Sequence, residues 1–121
     1  MRARDSDTAT LERELSDELL RIHERCYGKG AGSTRVLIGD DAIVVFLDDL
    51  KLQPNEQFLV DAGVPGAVVE QRARFQQAIE TTYRAAVERV TGRRVVSFAS
   101  ATKLDPNYAV EIFRLAPELP A

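Results

Sequence analysis

The segment that most constrains the fold is a long amphipathic run from Ala67 to Thr91, followed directly by Gly92. Apolar residues recur along one side of this run at helical spacing, and charged or amide residues fill the positions between them. The apolar positions are Val68, Phe75, Ile79, Ala86 and Val90. A helix of about 25 residues is about 37 Å long, enough to cross a whole small domain. Glycine readily takes the left-handed conformation that ends helices, so Gly92 is predicted to end this one.

Shorter patterns on either side predict the other elements of an α+β domain. A second apolar stripe predicts a helix over Ala9–Tyr27, and Pro54 at a first-turn position predicts a short helix over Gln53–Val60. Runs of β-branched and aromatic residues predict strands at Arg35–Ile38, Ala42–Leu47, Val95–Thr102 and Tyr108–Leu115. The unit of helix, glycine, strand, turn and strand therefore occurs twice. We expect a two-layer fold of order α-β-β-α-α-β-β, with a mainly antiparallel sheet of about four strands and both long helices on one face.

The chain of 121 residues fits one domain with its own core. Residues 1–8 are polar and lack periodicity, so a flexible tail is predicted there. A single domain is predicted over residues 9–117, and residues 118–121, which follow Pro117, form a second predicted tail.

Charge and hydropathy argue against nucleic acid and membrane lipid as direct partners. The net charge of −3 does not favour binding to nucleic acid or to anionic lipid. No apolar run approaches the roughly 20 residues that span a bilayer, and the N-terminus has no apolar signal region. The single cysteine, Cys26, forms no internal disulfide, which fits a reducing compartment. We therefore expect a cytoplasmic protein without direct membrane insertion, and any link to a membrane must pass through a partner.

The glycine-rich segment Gly28–Ser33 is the most conspicuous candidate for a binding site. Phosphate-binding loops follow a strand and open a helix, whereas this segment follows a helix and opens a strand, so the nearby helix dipole is negative. A flexible connection is one interpretation, and capture of a partner's carboxylate by Lys29 and free amides is another. The candidate ligand-binding residues are Lys29, Gly30, Gly32, Ser33 and Arg35.

The sequence predicts no catalytic residue, no metal site and no cofactor. His23, the one histidine, lies beside the apolar stripe of the first helix and is predicted at the surface, while Cys26 is predicted as a small buried hydrophobe. Arginines of the long helix, among them Arg72, alternate with glutamates and are interpreted as a solvated face of mixed charge.

Two patterns near the C-terminal end resemble a known family. They are V-E-x-x-T-G-R-x-V at residues 87–95 and D-P-x-x-A-V-E-x-F at residues 105–113, and Tyr27-Gly28-Lys29-Gly30 adds a weaker match. In order and spacing, residues 9–116 resemble the MpsC-like family of bacterial proteins. The resemblance implies a soluble component linked to a sodium-translocating system that generates a membrane potential. It supplies no catalytic residues, and Ala31, Gln53 and Ala101 differ from the family's usual residues.

We therefore expect a non-enzymatic accessory or regulatory module that acts through protein contacts, with a membrane-transport protein as a candidate partner. The unbroken apolar strand Ala42–Leu47 indicates either burial on both faces or self-association on one, so a homodimer is predicted. The alternative hypothesis is a domain that binds a small ligand or an anion through Gly28–Ser33.

Overall fold

The computed structural model describes residues 3–117, with side chains from residue 7 onward. Three helices and four strands follow the expected order α-β-β-α-α-β-β. They are α1 (Ala3–Tyr27), β1 (Ala31–Ile38), β2 (Ala42–Leu50), α2 (Pro54–Asp61), α3 (Pro65–Thr91), β3 (Val95–Leu104) and β4 (Asn107–Leu115). The predicted α+β class is therefore confirmed.

The four strands form one antiparallel sheet with the order β1-β2-β4-β3. Each long helix precedes one hairpin, and the two hairpins join through their second strands, β2 and β4. At the middle of this junction, Val45 lies directly opposite Glu111. The repeated unit predicted from the sequence is thus present as two similar halves that meet along the centre of the sheet.

Both long helices pack on the same face of the sheet, and the core lies between the two layers. Side chains alternate along the central strands, so every second residue points toward the helices. Ile43, Val45 and Leu47 of β2 and Phe113 of β4 are at most 1% exposed. The helices contribute further buried residues to the same cluster, namely Leu15, Leu19, Ile22, Tyr83, Ala86 and Val87.

The junction between α3 and β3 is fixed by residues of the V-E-x-x-T-G-R-x-V pattern. Gly92 has a φ of 71° and its N–H donates to Glu88 O at 2.8 Å, which confirms the predicted helix end. The side chain of Glu88 accepts the N–H of Val95 at 2.8 Å. Arg93 donates to the carbonyl oxygens of Asp40 and Ala116 at 2.9 and 3.0 Å. This pattern therefore has a structural role: it fastens α3 to the sheet.

Several predicted boundaries were wrong. The first helix begins at Ala3 and includes residues 3–8, which were assigned to a tail; residues 1–2 and the tail at 118–121 lie outside the described residues. Strand β1 begins at Ala31, so only residues 28–30 connect α1 to it. Gly32 lies in β1, and a Cβ at this position would lie 2.7 Å from a carboxylate oxygen of Asp49 on β2. Glycine at position 32 allows β1 and β2 to approach closely. In the sequence alone, the same glycine suggested a loop.

Candidate functional site

The five residues predicted to bind a ligand do not all lie in one loop. Lys29 and Gly30 lie in the connection before β1, whereas Gly32, Ser33 and Arg35 lie in the strand itself. A Cβ on Gly30 would come within 2.7 Å of the Glu24 side chain, so carboxylates flank the segment near both Gly30 and Gly32. Arg35 is engaged by Asp48 at 3.3 Å. Ligand binding at these residues stays a prediction.

The sheet face away from the helices is apolar and uncovered among the described residues. We call it the open face. Its apolar side chains are Leu37, Val44, Phe46, Tyr108, Val110 and Ile112. Leu37 is 55% exposed, the other five are partly buried, and the rings of Phe46 and Tyr108 lie 6.5 Å apart. An apolar sheet face with this much exposure is typical of a contact surface.

Charged pairs border the open face. Arg35 pairs with Asp48 and lies over the Phe46 ring at 4.7 Å from its centroid. Arg114 pairs with Asp41 at 3.2 Å. The apolar centre and charged border match the anatomy of protein interfaces, in which an apolar core is surrounded by a polar rim.

A buried ion pair lies on the helix side, where α2 meets α3. Arg72 is 2% exposed and donates to both carboxylate oxygens of Glu56 at 2.7 and 2.8 Å. Glu56 also accepts the N–H of Gln53, and the guanidinium lies 4.3 Å from the centroid of the Tyr27 ring. Burial raises the pKa of Glu56, but the hydrogen bonds from Arg72 and Gln53 outweigh it and leave the pKa lowered. The predicted solvated position of Arg72 was therefore wrong.

His23 is also buried, at 1% exposed, so its predicted surface position was wrong. Its ring lies 4.6 Å from that of Tyr27, because the contact between α1 and α3 extends beyond the apolar stripe. Burial, and then the positive charge of Arg72, lowers the pKa of His23 to about 4. The imidazole is therefore neutral at physiological pH. Cys26 is only partly buried, and burial raises the pKa of its thiol.

A second buried acid, Glu111, lies at the centre of the sheet and faces the helices. It is 0% exposed, and neither carboxylate oxygen has a hydrogen-bond partner among the described residues. Burial raises its pKa to about 8, so the carboxyl group is protonated at neutral pH. Tyr83 and Gln76 of α3 are buried nearby, and the amide of Gln76 donates to the hydroxyl of Tyr27 at 2.8 Å. Glu111, Gln76, Tyr83 and Tyr27 are called the interior polar cluster below.

Sequence reasoning missed these interior residues, although two signals were present. Arg72 and Gln76 follow Val68 at intervals of four, so they continue the buried stripe of α3, while Phe75 remains 38% exposed. Glu111 is the one acid in an otherwise apolar stretch of β4 and alternates in phase with Phe113. A polar residue that shares the helical or strand spacing of the apolar core residues is therefore the sequence signal for a buried polar group.

In the part of the chain from residue 7 to residue 117, no three or more His, Cys, Asp or Glu side chains are grouped to hold a metal ion. None of the helices within residues 3–117 combines the length and the apolar character needed to cross a membrane.

The fold and the two C-terminal patterns define a small α+β protein of a single family. The model of the family described as "Na+-translocating membrane potential-generating system (MpsC)" matches residues 7–117. The chain therefore belongs to the MpsC family, and the resemblance stated above is confirmed. No curated protein and no solved structure matches the chain significantly.

Proposed function

We propose that this chain is a non-enzymatic accessory or regulatory subunit that acts in the cytoplasm as a homodimer. Its partner is a membrane ion-translocating system, which it contacts through protein surfaces. The observation that carries the proposal is the open face, where apolar side chains of three strands lie on the side away from both helices. The link to ion translocation is supported by the family description.

A second copy of the chain suits the open face for two reasons. First, a symmetric dimer uses the same patch on both copies, so the apolar side chains of one open face would pack against those of the other. Second, the border carries both signs of charge, in Arg35 with Asp48 and Arg114 with Asp41. A copy that faces the first about a twofold axis parallel to the sheet can place carboxylates of one border near guanidinium groups of the other.

The size of the face fits the same occupant. Four strands at about 4.8 Å spacing and nine residues at about 3.4 Å rise give a projected area of about 600 Å². Accessible area exceeds projected area because side chains roughen the surface. The face therefore approaches the roughly 800 Å² per partner of a standard interface.

A non-enzymatic role is supported by the state of the buried groups. His23 is neutral and packed against Tyr27, and Arg72 is neutralised by Glu56. Neither arrangement pairs a base with a nucleophile.

The dimer is tested with Ile112→Glu, which places a charge at the centre of the open face. We expect the unaltered protein to sediment at twice the 13.4 kDa chain mass at micromolar concentration, and the variant to sediment as a monomer. Sedimentation equilibrium measures the mass, and circular dichroism checks that the variant is folded. An outward-facing charge leaves the core intact, so the fold is expected to persist.

Phe58→Glu is the matched control. Phe58 is 71% exposed on α2, and its substitution introduces the same charge at an apolar residue outside the open face. We expect this variant to remain dimeric. A monomeric unaltered protein, or dimer loss in both variants, contradicts the proposed use of the open face.

A further inference from the structure

Strand β3 lies at one edge of the sheet and pairs only with β4. In an edge strand, the N–H and C=O groups of every second residue point away from the sheet and lack a strand partner. Such a row of main-chain groups is a template for the backbone of another extended chain. The order β1-β2-β4-β3 leaves two edges of this kind, one at β1 and one at β3.

Helix α1 covers the edge of β1. The Glu12 side chain accepts the N–H of Ile38 at 3.0 Å, and the Ser16 hydroxyl donates to the carbonyl oxygen of Thr34 at 3.4 Å. These bonds occupy main-chain groups at the end and in the middle of the strand. A strand added at β1 would have to displace both of them.

Helix α3, in contrast, covers only the first residue of β3. Arg84 donates to the carbonyl oxygen of Val95 at 2.7 Å, and Glu88 accepts the N–H of the same residue at 2.8 Å. Over residues 96–104, no side chain in the described part of the chain bonds a main-chain group of the strand. We call this stretch of β3 the free edge.

The residue types of the free edge permit strand addition. Residues 97–102 read S-F-A-S-A-T and contain no charge and no proline. Proteins usually discourage addition with edge charges, proline or bulges. Here such features lie only at the two ends, where a register shift between Val95 and Ser97 marks a bulge and Lys103 follows the stretch. The stretch between them has the length of a typical strand, about 5–6 residues.

A groove of about 660 Å³ adjoins the free edge where β3 ends and α3 begins. Gly66, Val69 and Glu70 line it from the helix, and Thr102 and Leu104 line it from the strand. This volume lies within the range of ligand pockets, about 300–1,000 Å³. An added strand would direct every second side chain toward the helix layer, and the groove offers room for one of them.

The charges at the groove favour a basic occupant. Glu70, Lys103 and Asp105 line it, and none of the three has an ion-pair partner among the described residues. Their sum is one negative charge. A lysine or arginine in the added segment would therefore complement the groove, whereas an acidic residue would increase the excess of negative charge.

We propose that an extended segment of a partner protein pairs with the free edge as a fifth strand. The segment places an apolar side chain beside Val69 and Leu104 and a basic side chain beside Glu70. Addition of an extended peptide to a sheet edge is the binding mode of PDZ and PTB domains, in which main-chain bonds supply affinity and side-chain pockets supply specificity. The inference rests on the proposed function for the existence of a partner protein, but it uses a surface separate from the open face.

A second copy of β3 suits the free edge less well. If two β3 strands paired antiparallel about a twofold axis at Ser100, residues 95–97 of one copy would lie opposite residues 103–105 of the other. The bulge of one copy would then lie at the groove of the other, and a bulge interrupts regular pairing. The main-chain groups of Val95 are also bonded already to α3 of the same copy.

The probe for the test is a phage-displayed library of random peptides of about twelve residues, which is longer than a typical strand. The library is selected against the unaltered chain, and enriched sequences are synthesised with a fluorescent label for anisotropy titration. We expect enriched peptides to alternate apolar and polar residues and to contain lysine or arginine. If selection enriches no peptide, or only acidic peptides, the proposal is overturned.

Gly66→Arg assigns the binding to the groove. A Cβ at Gly66 would meet no atom within 4 Å, so the fold accommodates the substitution, and the new side chain takes up groove space and repels a basic segment. We expect the Kd of the selected peptide to rise at least about tenfold. Ala78→Arg is the matched control, because it introduces the same side chain at an exposed position of α3 outside the groove. Equal affinity in both variants contradicts the assignment.

Hydrogen exchange followed by NMR locates the bound peptide on the strand. When the peptide saturates the chain, we expect amides within residues 97–102 to exchange about tenfold more slowly, because the added strand bonds their outward N–H groups. Amides of β1 are expected to exchange at their original rates. Slowing confined to other parts of the chain overturns the proposal.

The two proposals fail in different ways. Peptide binding is expected to persist in the Ile112→Glu variant, since the free edge is intact whether or not the chain associates. A monomeric unaltered protein that binds the peptide refutes only the dimer, and a dimer without peptide binding refutes only the added strand. If Gly66→Arg separates the dimer and Ile112→Glu does not, a second copy occupies the free edge and both proposals are overturned.

Discussion

Glu111 and His23 are buried ionisable residues whose pKa values shift in ways that make stability depend on pH. The pKa of Glu111 rises to about 8 from an ordinary 4.5, so the folded state holds its proton more firmly than the unfolded state. Unfolding free energy therefore falls as pH rises from about 4.5 to 8. The pKa of His23 falls from 6.5 to about 4, so the folded state excludes that proton and stability rises with pH over about 4 to 6.5.

The two contributions oppose each other between about pH 4.5 and 6.5, and Glu111 acts alone above that range. We expect the unfolding free energy to fall by about 2 kcal/mol between about pH 6.5 and 8, at 1.36 kcal/mol per unit. Urea unfolding over this pH range measures this loss. Glu111→Gln is expected to remove it, and an unchanged slope in that variant contradicts the assigned pKa.

The ion pair between Arg72 and Glu56 gives a second prediction at this scale. Arg72→Met leaves a buried carboxylate unpaired, which costs about 3–5 kcal/mol of stability. Adding Glu56→Gln removes that charge while retaining an acceptor for the N–H of Gln53, so the double variant is expected to recover much of the loss. Urea unfolding of both variants measures the recovery.

Arg21→Met is the matched control for this pair. The Arg21 side chain is 64% exposed and pairs with Glu18 on the surface of α1. Exposed pairs contribute about 0–1 kcal/mol, so this variant is expected to lose little. If Arg72→Met costs no more stability than Arg21→Met, the prediction that burial makes the Arg72–Glu56 pair costly to break is wrong.

At the scale of elements, the end of α3 depends on one backbone conformation. Gly92 has a φ of 71°, and a β-branched side chain is poorly tolerated there. Gly92→Val is therefore expected to lower stability by about 1 kcal/mol or more, and Gly92→Asn to lower it less, because asparagine visits this region more readily. Thermal melts of the two variants measure the difference, and unchanged melting of Gly92→Val refutes the requirement.

The type and order of the elements could be predicted because periodicity is a local property. The stripe of α3 and the alternation in the strands required no knowledge of partners. The role of Gly32 could not be predicted, because it depends on Asp49 across the sheet. The burial of Arg72 and His23 likewise depends on which side of α3 and of α1 is covered by another element. The spacing of apolar residues does not determine that side.

For the whole molecule, the sequence did not predict which sheet face is covered or which polar residues meet in the core. The apolar strand 42–47 left two alternatives open, burial on both faces or self-association on one, and its residues are in fact buried toward the helices and partly exposed on the open face. The interior polar cluster combines residues from α1, α3 and β4, so no local pattern revealed it.

The meeting of two similar halves along β2 and β4 has a consequence for how a lone acid can exist inside this fold. Val45 and Glu111 lie opposite each other across the junction, one contributed by each half. If two identical half-chains assembled into this sheet, symmetry would supply a pair of adjacent buried carboxyl groups, and their ionised forms would repel each other. Because the two halves of this chain differ in sequence, the junction holds a single ionisable group. An assembly of two identical halves would hold two such groups or none.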